Sequence, residues 1–329
     1  GPPRDDELLA YTELASALVC VTAWYGQRHE ATAVLERVEA VGAAQRVRER
    51  QEGWGWLCCA RGYFEYFHEA RPWHSWLRAQ EALEAFRQQA PARSLAAVWC
   101  VRGLALAALG ELPAAIESLR EGLEEARGSG QPQARAFLQV HLALTLASST
   151  VPAEQEEARH QALSTLDREK VNLLLIGLAH LALARVAAAQ GGLSEARQHA
   201  TQACEVLGVF GPFQLQARTV LCATLLAQGN AVEARAEAEH IRRLLERMGD
   251  TGAAGVGAWW VVAQTGRATE DRAAAEFALR QALRCLRLRA GDFADATARE
   301  RFLRQVPEHA RVLELAHQWW GEGLDDARV

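Results

Sequence analysis

"WCVRGLALAALGELPAAIESL", Trp99 to Leu119, is the stretch on which the fold turns. Trp99–Leu109 is almost wholly apolar or small, and Leu112–Leu119 resumes the apolar pattern at helical spacing. Large and small residues follow one another in a fixed order: Trp99, Gly103, Leu106, Gly110, Ala115, Leu119. Each small residue has a physical use. Gly103 lets a second helix come close, Gly110 lets the chain turn out of the first helix, and Ala115 lets the second helix lie against it. The stretch predicts two helices joined by a tight turn.

The pattern recurs along the chain. "YGQRHEATAVL" (25–35), "QGGLSEARQHA" (190–200) and "QGNAVEARAEA" (228–238) each place an alanine five residues after a turn glycine. In order the glycines are Gly26, Gly110, Gly191 and Gly229, and the alanines Ala31, Ala115, Ala196 and Ala234. The last two alanines are 38 residues apart, and looser copies surround Ala79, Ala158 and Ala275. Runs of alternating β-branched and polar residues between turn pairs, the mark of strands, are nearly absent.

These motifs resemble the tetratricopeptide repeat (TPR), with a longer period than that family's ~34 residues. The resemblance implies an all-α, right-handed α-solenoid of about seven TPR-like helical hairpins over residues 8–290. "ARERFLRQVPEHARVLELAHQWW" (298–320), split at Pro307, reads as capping helices within a C-terminal segment, 291–329. Residues 1–7 read as a disordered start, and the opening "GPP" as a protease scar on a piece of a larger protein. The long, divergent repeats are similar to the repeat regions of maltose-regulator-type bacterial signalling ATPases and of TPR-containing Ser/Thr kinases.

Composition narrows function. Lys and Arg number 36 against 41 Asp and Glu, net −5, which argues against nucleic acid as a partner. No apolar run reaches the ~20 residues that span a bilayer, so no membrane partner is expected. Seven cysteines at irregular spacing suit a reducing compartment, the cytoplasm. The densest chemistry lies in "WGWLCCARGYFEYFHEARPWHSW" (54–76). On a helix, Trp56, Ala60, Tyr63, Phe67 and Ala70 form one stripe, and Leu57, Arg61, Phe64 and His68 the adjoining one. A helix apolar on two sides is sandwiched between neighbours. Cys58 and Cys59 point about 100° apart, so both cannot chelate one ion. No metal, cofactor or catalytic residue is expected. His141 and His180 are expected to be partly buried and satisfied within first helices, and His160 and His199 solvated at the starts of second helices.

In TPR arrays the first helix of each hairpin lines the concave face. Aligned on the turn residues, the candidate partner- or ligand-binding side chains are Trp24, Trp56, Tyr63, Tyr66, Leu104, Leu181, Arg185, Gln216, Trp260 and Gln264. This surface is aromatic and apolar with little charge. It suits an apolar or amphipathic protein segment held in a groove, one from the parent protein included. A tightly wound superhelix would instead pack these residues against one another. The expected role is a non-enzymatic protein-interaction and regulatory module of cytoplasmic signalling, and the alternative is a small-molecule or peptide sensor. An open groove favours the first and an enclosed interior the second.

Overall fold

The computed structural model describes residues 8–43, 51–87, 92–128, 132–167, 172–248 and 254–321. The expectations for residues 1–7 and for the tail beyond 321 lie outside these. Among the described residues there are sixteen α-helices and no strand. They pair in chain order: α1 (Leu8–Tyr25) with α2 (Arg28–Ala43), α3 (Gln51–Phe67) with α4 (Pro72–Phe86), α5 (Ala92–Ala108) with α6 (Leu112–Gly128), and α7 (Pro132–Leu146) with α8 (Pro152–Leu166). Then come α9 (Leu173–Ala189) with α10 (Leu193–Val206), α11 (Gly211–Ala227) with α12 (Ala231–Met248), and α13 (Gly255–Ala268) with α14 (Arg272–Ala290). Two further helices, α15 (Ala296–Gln305) and α16 (Pro307–Trp320), follow the seven hairpins.

The turns explain the hairpins. Gly26, Gly110, Gly191 and Gly229 all adopt left-handed backbone, with φ of 72°, 84°, 78° and 76°. The amide that follows each one donates back to a carbonyl in the last turn of the first helix, for example Gly192 N–H to Ala187 O at 2.9 Å. This is the Schellman closure, which satisfies carbonyls the helix end leaves open. In the second and seventh hairpins the left-handed position falls to Ala70 and Glu270 instead, at φ 54° and 57°. The fourth turn, before Pro152, uses no left-handed residue among those described.

The second helix then lands on a small residue. Ala31, Ala79, Ala115, Ala158, Ala196, Ala234 and Ala275 are each fully buried. The facing helix is small where the two come close: a Cβ on Gly266 would stand only 2.7 Å from the Ala275 backbone nitrogen, and one on Gly103 would stand 2.6 Å from Cγ of Leu119, four residues beyond Ala115.

Successive first helices pack along an inner face: α1 on α3, then α3 on α5 and onward to α13. The second helices face outward and carry a regular ion-pair ladder. Arg120 reaches Glu157 (2.5 Å), Arg159 reaches Glu195 (2.6 Å), Arg197 reaches Glu233 (2.6 Å) and Arg235 reaches Asp271 (3.3 Å). The repeated tripeptide Glu-Ala-Arg at 157–159, 195–197 and 233–235 makes this possible. Its alanine points in, its glutamate accepts from the repeat before, and its arginine donates to the repeat after.

The array bends far enough to close on itself. α1 touches α11, with Tyr25 against Phe210 (ring centroids 4.8 Å apart). At the other end the segment after α14 returns to the first half: Asp292 pairs with Arg71 (2.9 Å), Phe293 lies tilted against Trp73 (ring centroids 5.3 Å apart) and Arg301 pairs with Glu111 (2.8 Å). The end of α16 lies against α14, where Arg272 and Arg280 sit over the Trp319 and Trp320 rings at 3.8 and 4.3 Å.

Two substitutions test this account of the turns and crossings. Glu270→Gly relieves a left-handed non-glycine residue and should stabilise the protein by about 0.5–1 kcal/mol in urea unfolding. Gly266→Ala should cost about 1–3 kcal/mol despite alanine's better helix propensity, because its methyl meets backbone.

Candidate functional site

The inner face is aromatic and enclosed. Trp24 on α1 packs against Tyr63 on α3 (6.3 Å) and Phe137 on α7 (5.1 Å). Phe67 stacks with Tyr63 (6.1 Å) and meets Tyr66 (4.9 Å) and Phe213 of α11 (5.5 Å) edge-on. His141 sits between Phe137 (4.6 Å) and Phe213 (6.3 Å). Helices from four hairpins therefore meet across the axis.

Each candidate side chain can now be placed. Tyr63 and Leu181 are completely buried, and Trp56, Tyr66 and Trp260 nearly so. Trp24, Leu104, Arg185, Gln216 and Gln264 are partly buried. Trp24, Tyr63 and Tyr66 join the central aromatic cluster, and Arg185 donates to Gln216 Oε1 (2.9 Å). Trp56 turns instead to Phe86 within its own hairpin (5.6 Å), and Tyr63 donates its hydroxyl proton to Ala97 O (3.2 Å). The aromatic residues thus pack against one another rather than lining an open channel. Phe137, His141 and Phe213 belong to the same cluster but were not singled out as binding residues. The fourth hairpin lacks a turn glycine, so no register placed Phe137 and His141 on the inner face.

Two of the histidines depart from expectation. His141 is 1% exposed, and both its ring nitrogens lack a hydrogen-bond partner among the described residues. Burial alone pulls its pKa down to about 4. The Trp24 indole N–H is likewise buried without a partner. Uncompensated buried polar atoms cost about 1–3 kcal/mol each. His199, expected in solvent, instead sits 3.1 Å from His180, Nδ1 to Nδ1. His160 is exposed as expected.

The thiols are passive. Burial and the neighbouring Glu81 carboxylate, which accepts from Cys58 Sγ at 3.4 Å, drive the Cys58 pKa up. A hydrogen bond with Cys20, together with burial, raises that of Cys59. Cys204 is pushed up to about 12 and Cys222 to about 11, mainly by burial. Thiols held protonated are poor nucleophiles and poor metal ligands. Among the described residues no three His, Cys, Asp or Glu side chains group around a possible metal position, and no helix is long and apolar enough to cross a membrane. On the outer face, an open depression is lined by Trp99, Glu117, Arg120, Glu121, Glu124 and Glu125.

The closed array has counterparts among solved structures. A Rap protein complexed with competence and sporulation factor superposes with a TM-score of 0.61, over 96% of this chain and 99% of that one. The fold is Rap-like. The sequences are only 11% identical. The apo form of RapI matches at a TM-score of 0.50 and 14% identity, over 96% of this chain and 88% of that one. No protein-family model matches the sequence, and neither does any curated protein. The resemblance to TPR arrays therefore holds at the level of the fold, and both solved structures just described are Rap proteins.

A histidine buried in its neutral form stabilises the fold above its ordinary pKa of about 6.5 and withdraws that stability as pH falls toward its lowered value. His141 and His68, both pulled to about 4 with burial as the main cause, define a window from about pH 6.5 to 4. Thermal stability should fall across it. His141→Leu should shallow that fall and leave stability at pH 7.5 unchanged or raised, because it removes two unpartnered polar atoms.

Proposed function

We propose that this chain is a non-enzymatic sensor that takes a short peptide into the axis of its helical array. The observation that carries the reading is the aromatic cluster closed around His141 and Trp24. Three polar atoms there, two on the imidazole and one on the indole, are buried without partners. An extended peptide supplies backbone donors and acceptors along its length, so it can satisfy such atoms while its side chains replace aromatic contacts. An amphipathic helix about 10 Å across would have to displace the whole cluster. The enclosed interior therefore favours a small ligand over a long protein segment. The Rap protein of similar fold, solved as a complex with competence and sporulation factor, supports a sensing role.

On this reading the closure contacts transmit the signal. A peptide that parts Trp24 from Phe137 also disturbs Tyr25 against Phe210, and so the packing of the first hairpin on the sixth. The receiver is an effector of bacterial cytoplasmic signalling, such as the ATPase or Ser/Thr kinase modules that similar repeat arrays accompany.

The test is affinity selection of a random pentapeptide library, with bound peptides read by mass spectrometry and resynthesised. Selected sequences should raise the melting temperature by several degrees at concentrations far above Kd. His141→Leu should weaken them by about tenfold or more, while Glu195→Lys on the outer ladder should not. Recovery without sequence preference, or binding lost through the outer change alone, would overturn the proposal.

A further inference from the structure

Twelve large apolar side chains are exposed among the described residues, and four of them lie on α1: Leu14 (73%), Leu18 (47%), Val21 (40%) and Tyr25 (41%). The other eight are scattered over later helices and turns, as single exposed apolar residues usually are. With Ala10 and Ala17, the four make up every exposed residue among those described in α1. At about 100° per residue the six fall within an arc of about 100°, and they run for about 22 Å along the helix. Glu13, the only charged residue of α1, falls outside that arc. The stripe is therefore continuous and uncharged.

Its exposure follows from its place in the array. Every later first helix lies between two neighbours, from α3 between α1 and α5 to α13 between α11 and α16. α1 has α3 on one side, α2 behind it, and α11 touching it near Tyr25. A stack of hairpins needs a covering with a polar outer face at each end to stay soluble. The C-terminal end has one, since α16 packs on α13 and α14. The N-terminal end presents the apolar stripe instead. Residues 1–7, "GPPRDDE", offer no aliphatic or aromatic side chain beyond two prolines to lay over it.

We propose that this stripe is the contact between two copies of the chain, joined antiparallel through α1 about a two-fold axis. Such a contact pairs residue i with j and j with i. Centred between Ala17 and Leu18, it sets Ala10 against the partner's Tyr25, Leu14 against the partner's Val21, and Ala17 against the partner's Leu18. Two of these three pairs place small against large, so the faces interlock as a packed core requires. An uncharged face has no ionic means of selecting an unlike partner, and against its own copy it needs none. Each stack then supplies the covering that the other's end lacks. The contact lies on the helix that carries Trp24, but it does not depend on the peptide reading. One helix face is smaller than the ~800 Å² that each partner gives to a standard interface, so the dimer is weak, with Kd on the order of 10 μM.

Sedimentation equilibrium of the whole chain, from well below that concentration to well above it, should show monomer passing to dimer. Leu18→Glu brings two carboxylates together at the axis and should weaken the dimer about 30-fold or more. Its melting temperature at low concentration should match that of the unchanged protein, because Leu18 is exposed in the monomer. All seven native cysteines are buried, so an introduced surface thiol reports its own neighbourhood. Under mild oxidation Ala17→Cys should cross-link into dimers at least tenfold faster than Val232→Cys, which lies 85% exposed on α12. A monomer at every concentration would overturn the proposal and leave the stripe to an unlike partner. A dimer untouched by Leu18→Glu, or equal cross-linking at the two positions, would overturn it by placing the contact elsewhere.

Discussion

The close crossing of two helices at a buried alanine governs this molecule. In each of the seven hairpins one alanine of the second helix is fully buried where the two helices cross. In the seventh hairpin a carbon added to the facing Gly266 would stand 2.7 Å from the Ala275 backbone nitrogen. Helices that cross so closely have one available angle, and the turn must deliver the second helix at that angle. In five of the seven a left-handed residue five positions ahead of the alanine does so. Hairpin geometry fixed in this way sets the small rotation between neighbours, and the rotations along seven hairpins add up to an array that meets itself.

Much of that was legible in the residues. The four turn glycines could be read because glycine is the residue that takes positive φ without cost, and all four adopt it. All seven alanines were visible as a period. Ala70 and Glu270 were not legible as left-handed positions, since nothing in an alanine or a glutamate announces positive φ. There the packing of the hairpin overrides the preference of the residue. The closure of the array was invisible for another reason. Trp24 and Phe137, or Arg71 and Asp292, lie more than a hundred residues apart and share no periodic signal.

The inner face shows the same division. Register placed Trp24, Tyr63, Tyr66, Arg185 and Gln216 on first helices turned toward the axis, and the structure brings the aromatic ones into one cluster and joins Arg185 to Gln216. What register cannot supply is curvature. The difference between an open groove and a closed interior is a small rotation per repeat, summed over the array. His141 and Phe213 entered the cluster by that sum.

The outer ladder has a mechanical consequence. Its four pairs join the second helices of the third to seventh hairpins in turn along the convex side, and every one has a partner about a third exposed or more. Such pairs contribute about 0–1 kcal/mol apiece and are weakened by salt. They add little to the depth of the folded state, but they are strung in series along the rim that must lengthen or shorten when the array flexes. The molecule is in effect a spring with two materials. Its hairpin cores, tight as crystals, set the rest length, and its rim of charge sets a compliance that loosens as ionic strength rises.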